Sequence, residues 1–122
     1  MTESAIQTQL VQWLKAKGIT FHVGLEGAKR HVHEQARLKR LGMQAGHPDI
    51  TLFLAGGRVI FVELKGKNGS LSPKQKIRHD ELRGLGFEVH TVKAVTGCGA
   101  IDAVQDILDA VRQQPPADQS YA

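Results

Sequence analysis

Apolar residues recur at helical spacing near both ends of the sequence. This pattern predicts one helix over about Glu3 to Lys17 and another over Gly99 to Arg112. Thr2 and Ser4 compete as the N-cap of the first helix, since Ser4 followed by Gln7 would form a capping box. The residues that share an apolar face are Ile6, Leu10, Trp13 and Leu14 in the first helix, and Ile101, Val104, Ile107, Leu108 and Val111 in the last.

A third helix is predicted from the residues around Ser72. Ser72 is a favoured N-cap residue, Pro73 suits the first helical position, and Gln75 completes a capping box. Gly86 ends this helix. Its expected apolar face consists of Ile77, Leu82 and Leu85.

Short apolar runs bounded by turn residues predict four strands. They cover Ile19–Val23, Asp49–Ala55, Arg58–Lys65 and Phe87–Val92. Gly56 and Gly57 separate the middle two, which indicates a hairpin. The segment from Gly24 to Gly46 is ambiguous, and a helix over Glu34 to Leu41 is the one element expected there. The alternation of helices and strands predicts an α/β fold in which helices flank a central mixed sheet.

A chain of 122 residues suits a single domain, expected here over residues 1–112. The remainder, Gln113 to Ala122, is polar and contains two prolines, which predicts a disordered tail. The sequence lacks a signal-peptide pattern and any apolar run near the roughly 20 residues that span a bilayer. Cys98 is the one cysteine, so an intrachain disulfide is excluded. We therefore expect a cytoplasmic protein with no membrane partner and no disulfide-linked partner.

Positive charge is concentrated in two stretches. Sixteen Lys and Arg against twelve Asp and Glu give a net charge of +4, which is compatible with a polyanionic partner. The first stretch contains Lys29, Arg30, Arg37, Lys39 and Arg40, and the second contains Lys65, Lys67, Lys74, Lys76 and Arg78. The few aromatic residues are scattered, which argues against a base-stacking surface.

The predicted hairpin brings two acids and a lysine to the same open end. Its first strand begins at Asp49, and its second ends with Glu63 and Lys65. A two-residue glycine turn would put the acids on opposite faces, whereas a three-residue loop, which pairs Leu54 with Arg58, sets Asp49 opposite Glu63. We expect the second register, in which the opposed Cβ atoms lie about 5 Å apart and Lys65 shares their face.

Two carboxylates held this close repel each other unless a cation lies between them. Mg²⁺ (or Mn²⁺) suits such oxygen ligands, lowers the pKa of a bound water and polarises a phosphoryl oxygen. A lysine beside the ion would hold the attacking water or stabilise charge on the phosphate. Each acid taken by itself is more simply a solvated strand end, so the joint pattern is what favours a metal site.

Two other motifs carry weaker signals. His31-x-His33, with His47 nearby, has no further ligand at a diagnostic spacing, which disfavours a transition-metal site. Gly97-Cys98-Gly99 precedes a helix and could bind an anion, but a turn explains it more simply.

Three motifs together resemble the VRR-NUC family of the PD-(D/E)XK nuclease superfamily. They are Gly46-His47-Pro48-Asp49, Phe61-Val62-Glu63-Leu64-Lys65 and Gly69-x-Leu71-Ser72-x-x-Gln75. The resemblance covers about Glu3 to Arg112 and is greatest to the small stand-alone form of phages and bacteria. It implies a restriction-endonuclease-like fold and metal-dependent cleavage of DNA phosphodiesters.

The resemblance also implies roles for individual residues. The catalytic set that it implies is Asp49, Glu63, Lys65, Gln75 on the next helix and Glu3 on the first. Within this set Asp49 and Glu63, with the Leu64 carbonyl, would bind the metal, and Lys65 would be the catalytic lysine. Gln75 is equally well explained by its capping box, and Glu3 by favourable charge at a helix N-terminus.

We therefore expect a metal-dependent endodeoxyribonuclease that recognises DNA shape. The resemblance implies a homodimer acting on branched DNA such as Holliday junctions, in a bacterial or phage-infected cell. The alternatives are a non-catalytic DNA- or junction-binding module on the same fold, and a metal-binding structural partner in a larger assembly. The expected DNA contacts are Lys29, Arg30, Arg37, Lys39, Arg40, Lys67 and Lys74.

Overall fold

A four-stranded mixed sheet forms the centre of the fold. The computed structural model describes residues 1–24 and 32–114. In chain order the elements are α1 (Glu3–Ala16), β1 (Thr20–Val23), α2 (Val32–Arg40), β2 (Ile50–Leu54), β3 (Arg58–Lys65), α3 (Pro73–Gly84), β4 (Glu88–Lys93) and α4 (Gly97–Gln113). The strands lie side by side in sequence order, with antiparallel β1–β2 and β2–β3 pairs and a parallel β3–β4 pair. The predicted α/β class is confirmed.

Helices cover both faces of this sheet. α1 and α4 pack against each other and against one face, where the main core is buried. That core includes Ile6, Leu10, Leu14, Ile50, Leu52, Ile60, Val62, Leu64, Val104 and Leu108. α3 is the crossover between the parallel strands and covers part of the other face. There its Leu82 packs against Phe61 and Val89 of the sheet.

The helix ends follow local hydrogen bonding. Thr2, rather than Ser4, caps α1, since its hydroxyl accepts from the Ala5 backbone N–H at 3.1 Å. Thr96 caps α4 in the same way, so this helix begins two residues before the predicted start. At its other end Arg58 donates to the carbonyls of Val111 and Gln114. This contact ties the closed end of the hairpin to the C-terminus of α4.

The predicted apolar face of α3 is wrong for two of its three residues. Leu82 is buried, but Ile77 is 61% exposed and Leu85 is 75% exposed. Leu82 follows Ile77 by five positions, so at about 100° per residue the two lie far apart around the helix. Leu85 is the C-cap and lies beyond the last residue of α3. The face that packs inward instead carries Gln75, His79 and Leu82, spaced four and three residues apart.

The other predicted elements agree with the structure to within two residues at each end. Lys29, Arg30 and His31, and all but the first two residues of the predicted tail, lie outside the described residues. In the part of the chain that the structure describes, no helix is long and apolar enough to cross a membrane.

Candidate active site

The register of the hairpin opposes Asp49 and Glu63. Leu54 pairs with Arg58, and a three-residue turn over Ala55–Gly57 joins β2 to β3, as predicted. Counting back along β2 from this pairing puts Asp49 opposite Glu63 on the face that α3 covers. The backbone N–H of Leu64 donates to Asp49 Oδ2 at 3.1 Å. The Asp49 carboxylate is therefore held against the end of β3.

Glu63 is a buried carboxylate with only 1% of its surface exposed. Burial, and then the hydrogen bond and negative charge of Asp49, raise the pKa of Glu63 from 4.5 to about 9, while the positive charge of Lys65 lowers it. In the metal-free protein the acid pair therefore retains a proton at neutral pH. A divalent cation between the carboxylates would supply the positive charge that this proton now provides. Two carboxylates form an oxygen ligand set of the kind that Mg²⁺ binds.

Lys65 stands beside the pair on the same face of the sheet. It follows Glu63 by two residues in β3, and its charge acts on the Glu63 carboxylate. A Cβ placed on Gly69 would lie 3.3 Å from both Cβ and Cδ of Lys65. The loop after β3 therefore packs against the aliphatic part of the lysine and restricts where its ammonium group can go.

Gln75 makes the hydrogen bonds of the capping box and also contacts Glu63. Its Oε1 accepts from the backbone N–H of Ser72 at 2.8 Å, and its backbone N–H donates to the Ser72 hydroxyl at 3.1 Å, so the capping box is complete. Its Nε2 donates to Glu63 Oε1 at 3.3 Å. One side-chain amide thus links the start of α3 to the acid pair.

His79 was not predicted as a site residue, and it lies in the centre of this group. Its side chain is fully buried, and its Nε2 is 3.4 Å from Glu63 Oε1. Burial is the main cause that lowers the pKa of His79, and the positive charge of Arg83 lowers it further. The imidazole is therefore kept neutral. The signal in the sequence was its position one turn after Gln75 and three residues before Leu82, a polar residue on the inward face of α3.

The loop that carries Asp49 is fitted closely to α3. Gly46 has φ +82°, and a Cβ there would lie 2.4 Å from the backbone oxygen of Lys74. His47 packs edge-on against Phe61 with ring centroids 5.3 Å apart, and its Nδ1 accepts from Arg78 Nε at 3.2 Å. The position of Asp49 is therefore set by α3 as well as by β3.

The other predicted site residues lie around this centre. Glu3 is exposed at the start of α1, and its charge contributes to the raised pKa of Glu63, so the two are at the same end of the sheet. Lys67 and Lys74 are exposed, and in the sequence they lie close to Lys65 and Gln75. α2 carries three more exposed positive side chains, Arg37, Lys39 and Arg40. Over residues 1–24 and 32–114, no three His, Cys, Asp or Glu side chains form a group that could hold a metal ion. The Leu64 carbonyl as a third ligand stays a prediction.

A family model and two solved structures that carry the VRR-NUC name are similar to this chain. A family model described as the VRR-NUC domain matches residues 1–96. A solved structure titled "VRR_NUC domain protein" is 25% identical over 89% of this chain and 89% of that chain, with a TM-score of 0.68. Another, titled "VRR_NUC domain", is 20% identical over 88% of this chain and 94% of that chain; its TM-score of 0.57 shows a shared fold. No curated protein matches this chain.

Proposed function

Because this chain belongs to the VRR-NUC domain family, a nuclease-type DNA-processing module, we propose that it is a metal-dependent endodeoxyribonuclease that hydrolyses DNA phosphodiesters. The observation that carries the proposal is the acid pair, in which Glu63 is buried and Asp49 is half-buried. Asp49 faces Glu63 at the open end of the hairpin, and the pKa of Glu63 is raised to about 9. Negative charge at this pair is unfavourable unless positive charge compensates it, and this supports the proposal that a divalent cation binds there.

Asp49, Glu63 and the carbonyl of Leu64 would hold Mg²⁺ or Mn²⁺. The ion, when bound, lowers the pKa of a water molecule and polarises a phosphoryl oxygen. Lys65, on the same face as the acids, donates a hydrogen bond to the attacking water or to the phosphate oxygen on which charge develops. Gln75 donates to Glu63 from α3, and Glu3 adds negative charge at the start of α1.

The exposed positive residues bind the DNA backbone. Lys67 and Lys74 follow the catalytic lysine along the chain, and α2 carries a further set at Arg37, Lys39 and Arg40. Contacts of this kind supply affinity without reading base sequence, so selectivity comes from the shape of the DNA. We propose branched DNA, such as a four-way junction, as the preferred shape.

A homodimer follows from the geometry of such a substrate. A four-way junction has approximate two-fold symmetry, and one small domain has one candidate centre. Cutting two strands requires two centres, and a two-fold dimer is the commonest way for a small chain to supply them.

A cleavage assay tests the proposed function directly. A labelled four-way junction and a linear duplex of the same sequence are incubated with the protein in Mg²⁺, in Mn²⁺ and in EDTA, with Asp49→Asn as the control. We expect metal-dependent cutting of the junction by the wild type and none by Asp49→Asn. Tight binding to the junction with no cutting in either metal would instead indicate a non-catalytic junction-binding module. Light scattering gives the oligomeric state, and a strict monomer would contradict the dimer while leaving the nuclease proposal in place.

A further inference from the structure

One carboxylate oxygen of Glu63 faces two nitrogen atoms of α3. Gln75 Nε2 is 3.3 Å from Oε1, and His79 Nε2 is 3.4 Å from the same oxygen. The two side chains lie one helical turn apart on the inward face of α3. Gln75 already has a second role in the capping box, whereas His79 has no capping position to fill.

The burial of His79 needs an explanation. Its side chain is fully buried, and among the described residues neither of its ring nitrogens has a hydrogen-bond partner of normal geometry. A polar group left unpaired in the interior destabilises the fold, so an apolar side chain would fill a purely structural position at lower free energy. Glu63 Oε1 lies 3.4 Å from Nε2, close enough to accept from it after a small shift.

The chemistry of the two groups sets the direction of the contact. A neutral imidazole has one N–H donor and one acceptor nitrogen, while an ionised carboxylate only accepts. Because Glu63 Oε1 already accepts from Gln75 Nε2, it acts as an acceptor toward His79 as well, and Nε2–H is the donor to it. Hydrogen bonds of this kind are often long in the unliganded protein and shorten in the working complex.

We propose that His79 is a positioning residue, which donates from Nε2 to Glu63 Oε1 and, with Gln75, holds one carboxylate oxygen so that the other is presented to the cation shared with Asp49. This inference rests on the metal-dependent function proposed above. Side chains that orient a metal ligand in this way typically change metal affinity by about 10–100-fold when they are replaced.

Two variants of equal length separate this role from simple filling of the core. His79→Gln places an amide N–H near the position of Nε2, and His79→Met fills a similar volume without a donor. Mn²⁺ binding to the full chain is measured by titration calorimetry and by electron paramagnetic resonance, with Asp49→Asn to show that the ion reports this centre. We expect His79→Met to bind Mn²⁺ about 10–100-fold more weakly than wild type, and His79→Gln to retain most of the affinity. Wild-type affinity in His79→Met, or equal losses in both variants, would overturn the proposal.

A measurement on the wild type covers the case in which His79→Met does not fold. Nitrogen-15 spectra of labelled histidine side chains report which ring nitrogen carries the proton, without any metal or activity. We expect the His79 proton on Nε2 in the metal-free protein, and a shift of that resonance when diamagnetic Mg²⁺ is added. A proton on Nδ1 would overturn the inference. If the wild type binds no metal and cuts no DNA, the proposed function fails and the metal-positioning role fails with it, whereas a proton on Nδ1 in a wild type that binds Mn²⁺ overturns the role of His79 alone.

Discussion

The side-chain amide of Gln75 joins the N-cap of α3 to Glu63. Its oxygen accepts from the backbone N–H of Ser72, and its nitrogen donates to Glu63 Oε1 at 3.3 Å. The capping box and the acid pair are therefore parts of one hydrogen-bonded arrangement. A change in either the helix start or the carboxylate is transmitted to the other through a single planar group.

Gln75→Glu tests this double role. The variant keeps an acceptor for Ser72, but its second oxygen faces the Glu63 carboxylate where an amide now donates. We expect thermal stability close to wild type in the metal-free protein at pH 7, where Glu63 is protonated, and strongly impaired cleavage in Mg²⁺. Gln105→Glu is the matched control, because Gln105 Nε2 also donates to a carboxylate, that of Asp109, but on the far side of the core. Full activity of Gln75→Glu would leave capping as the whole role of this residue.

Asp49→Asn and Glu63→Gln each replace one carboxyl group of the acid pair by an amide, which is a poor ligand for a divalent cation. We expect each to reduce cleavage of a four-way junction by at least about 100-fold, a loss typical of removing one electrostatic group from an active site. Circular dichroism should show an intact fold, because both substitutions preserve side-chain shape. Cleavage within a few-fold of wild type in either variant would show that the metal lies elsewhere.

The raised pKa of Glu63 makes the stability of the metal-free protein depend on pH. The folded chain holds a proton on Glu63 up to about pH 9, whereas the unfolded chain loses it near 4.5. The stabilising contribution is therefore complete below pH 4.5 and is lost as pH rises toward 9, at up to about 1.4 kcal/mol per pH unit. Because the pKa of His79 is lowered from its ordinary value of 6.5, His79 stays neutral between pH 7 and 9. A change in stability over that range therefore reports Glu63.

Urea unfolding in EDTA across that range measures this effect. We expect the free energy of unfolding to fall from pH 7 to 9 in the wild type and to be nearly flat in Glu63→Gln. Mg²⁺ should stabilise the wild type more at pH 9 than at pH 7, because it no longer competes with the proton. A wild-type profile as flat as that of Glu63→Gln would contradict the shared proton.

Lys65→Met separates catalysis from DNA binding. The lysine lies beside the acid pair and its position is restricted by Gly69, so we expect turnover to be abolished while the affinity for a four-way junction is largely unchanged. Lys67→Met is the control, since this exposed lysine two residues later should affect salt-dependent binding and leave turnover at saturating DNA intact. Filter binding and single-turnover cleavage measure the two quantities. Equal losses of affinity and rate in Lys65→Met would make it a phosphate contact.

Gly46→Ala tests the close approach of the Asp49 loop to α3. The added Cβ would meet the Lys74 backbone in a conformation with positive φ, whereas Gly42, also at positive φ, has nothing within 4 Å of its Cβ position. Gly42→Ala should therefore cost about 1–2 kcal/mol for backbone strain alone. We expect Gly46→Ala to cost clearly more and to weaken Mn²⁺ binding. Thermal melts of the two variants give the comparison, and equal melting temperatures would show that the loop can shift without cost.

The hairpin was predictable because its evidence is local. The requirement that Asp49 and Glu63 share a face selects one register, and the loop length of three residues then follows from counting. The capping box at Ser72 is local too, because all of its hydrogen bonds join residues three apart. Short-range patterns of this kind are enough to predict where most of the helices and strands begin and end.

The environment of Glu63 was harder to predict, because it depends on contacts between distant segments. The apolar residues Ile77 and Leu85 suggested the wrong inward face for α3, and a histidine does not signal a buried position by its polarity. The packing of Gly46 against Lys74 joins residues 28 positions apart and leaves no periodic pattern. The sequence therefore predicted which groups meet, but not the helix surface that orients them.

The helix α4 belongs to the same folding unit as the candidate centre, although the family match ends before it. The family match ends at residue 96, just before α4 begins, and includes every residue of the candidate centre. Yet α4 supplies Val104 and Leu108 to the main core, and its C-terminus receives the side chain of Arg58 from the hairpin. The boundary of the recognisable family pattern is thus not the boundary of the folding unit. The candidate centre lies within the first 96 residues, but a helix outside them packs against the sheet that aligns the two acids.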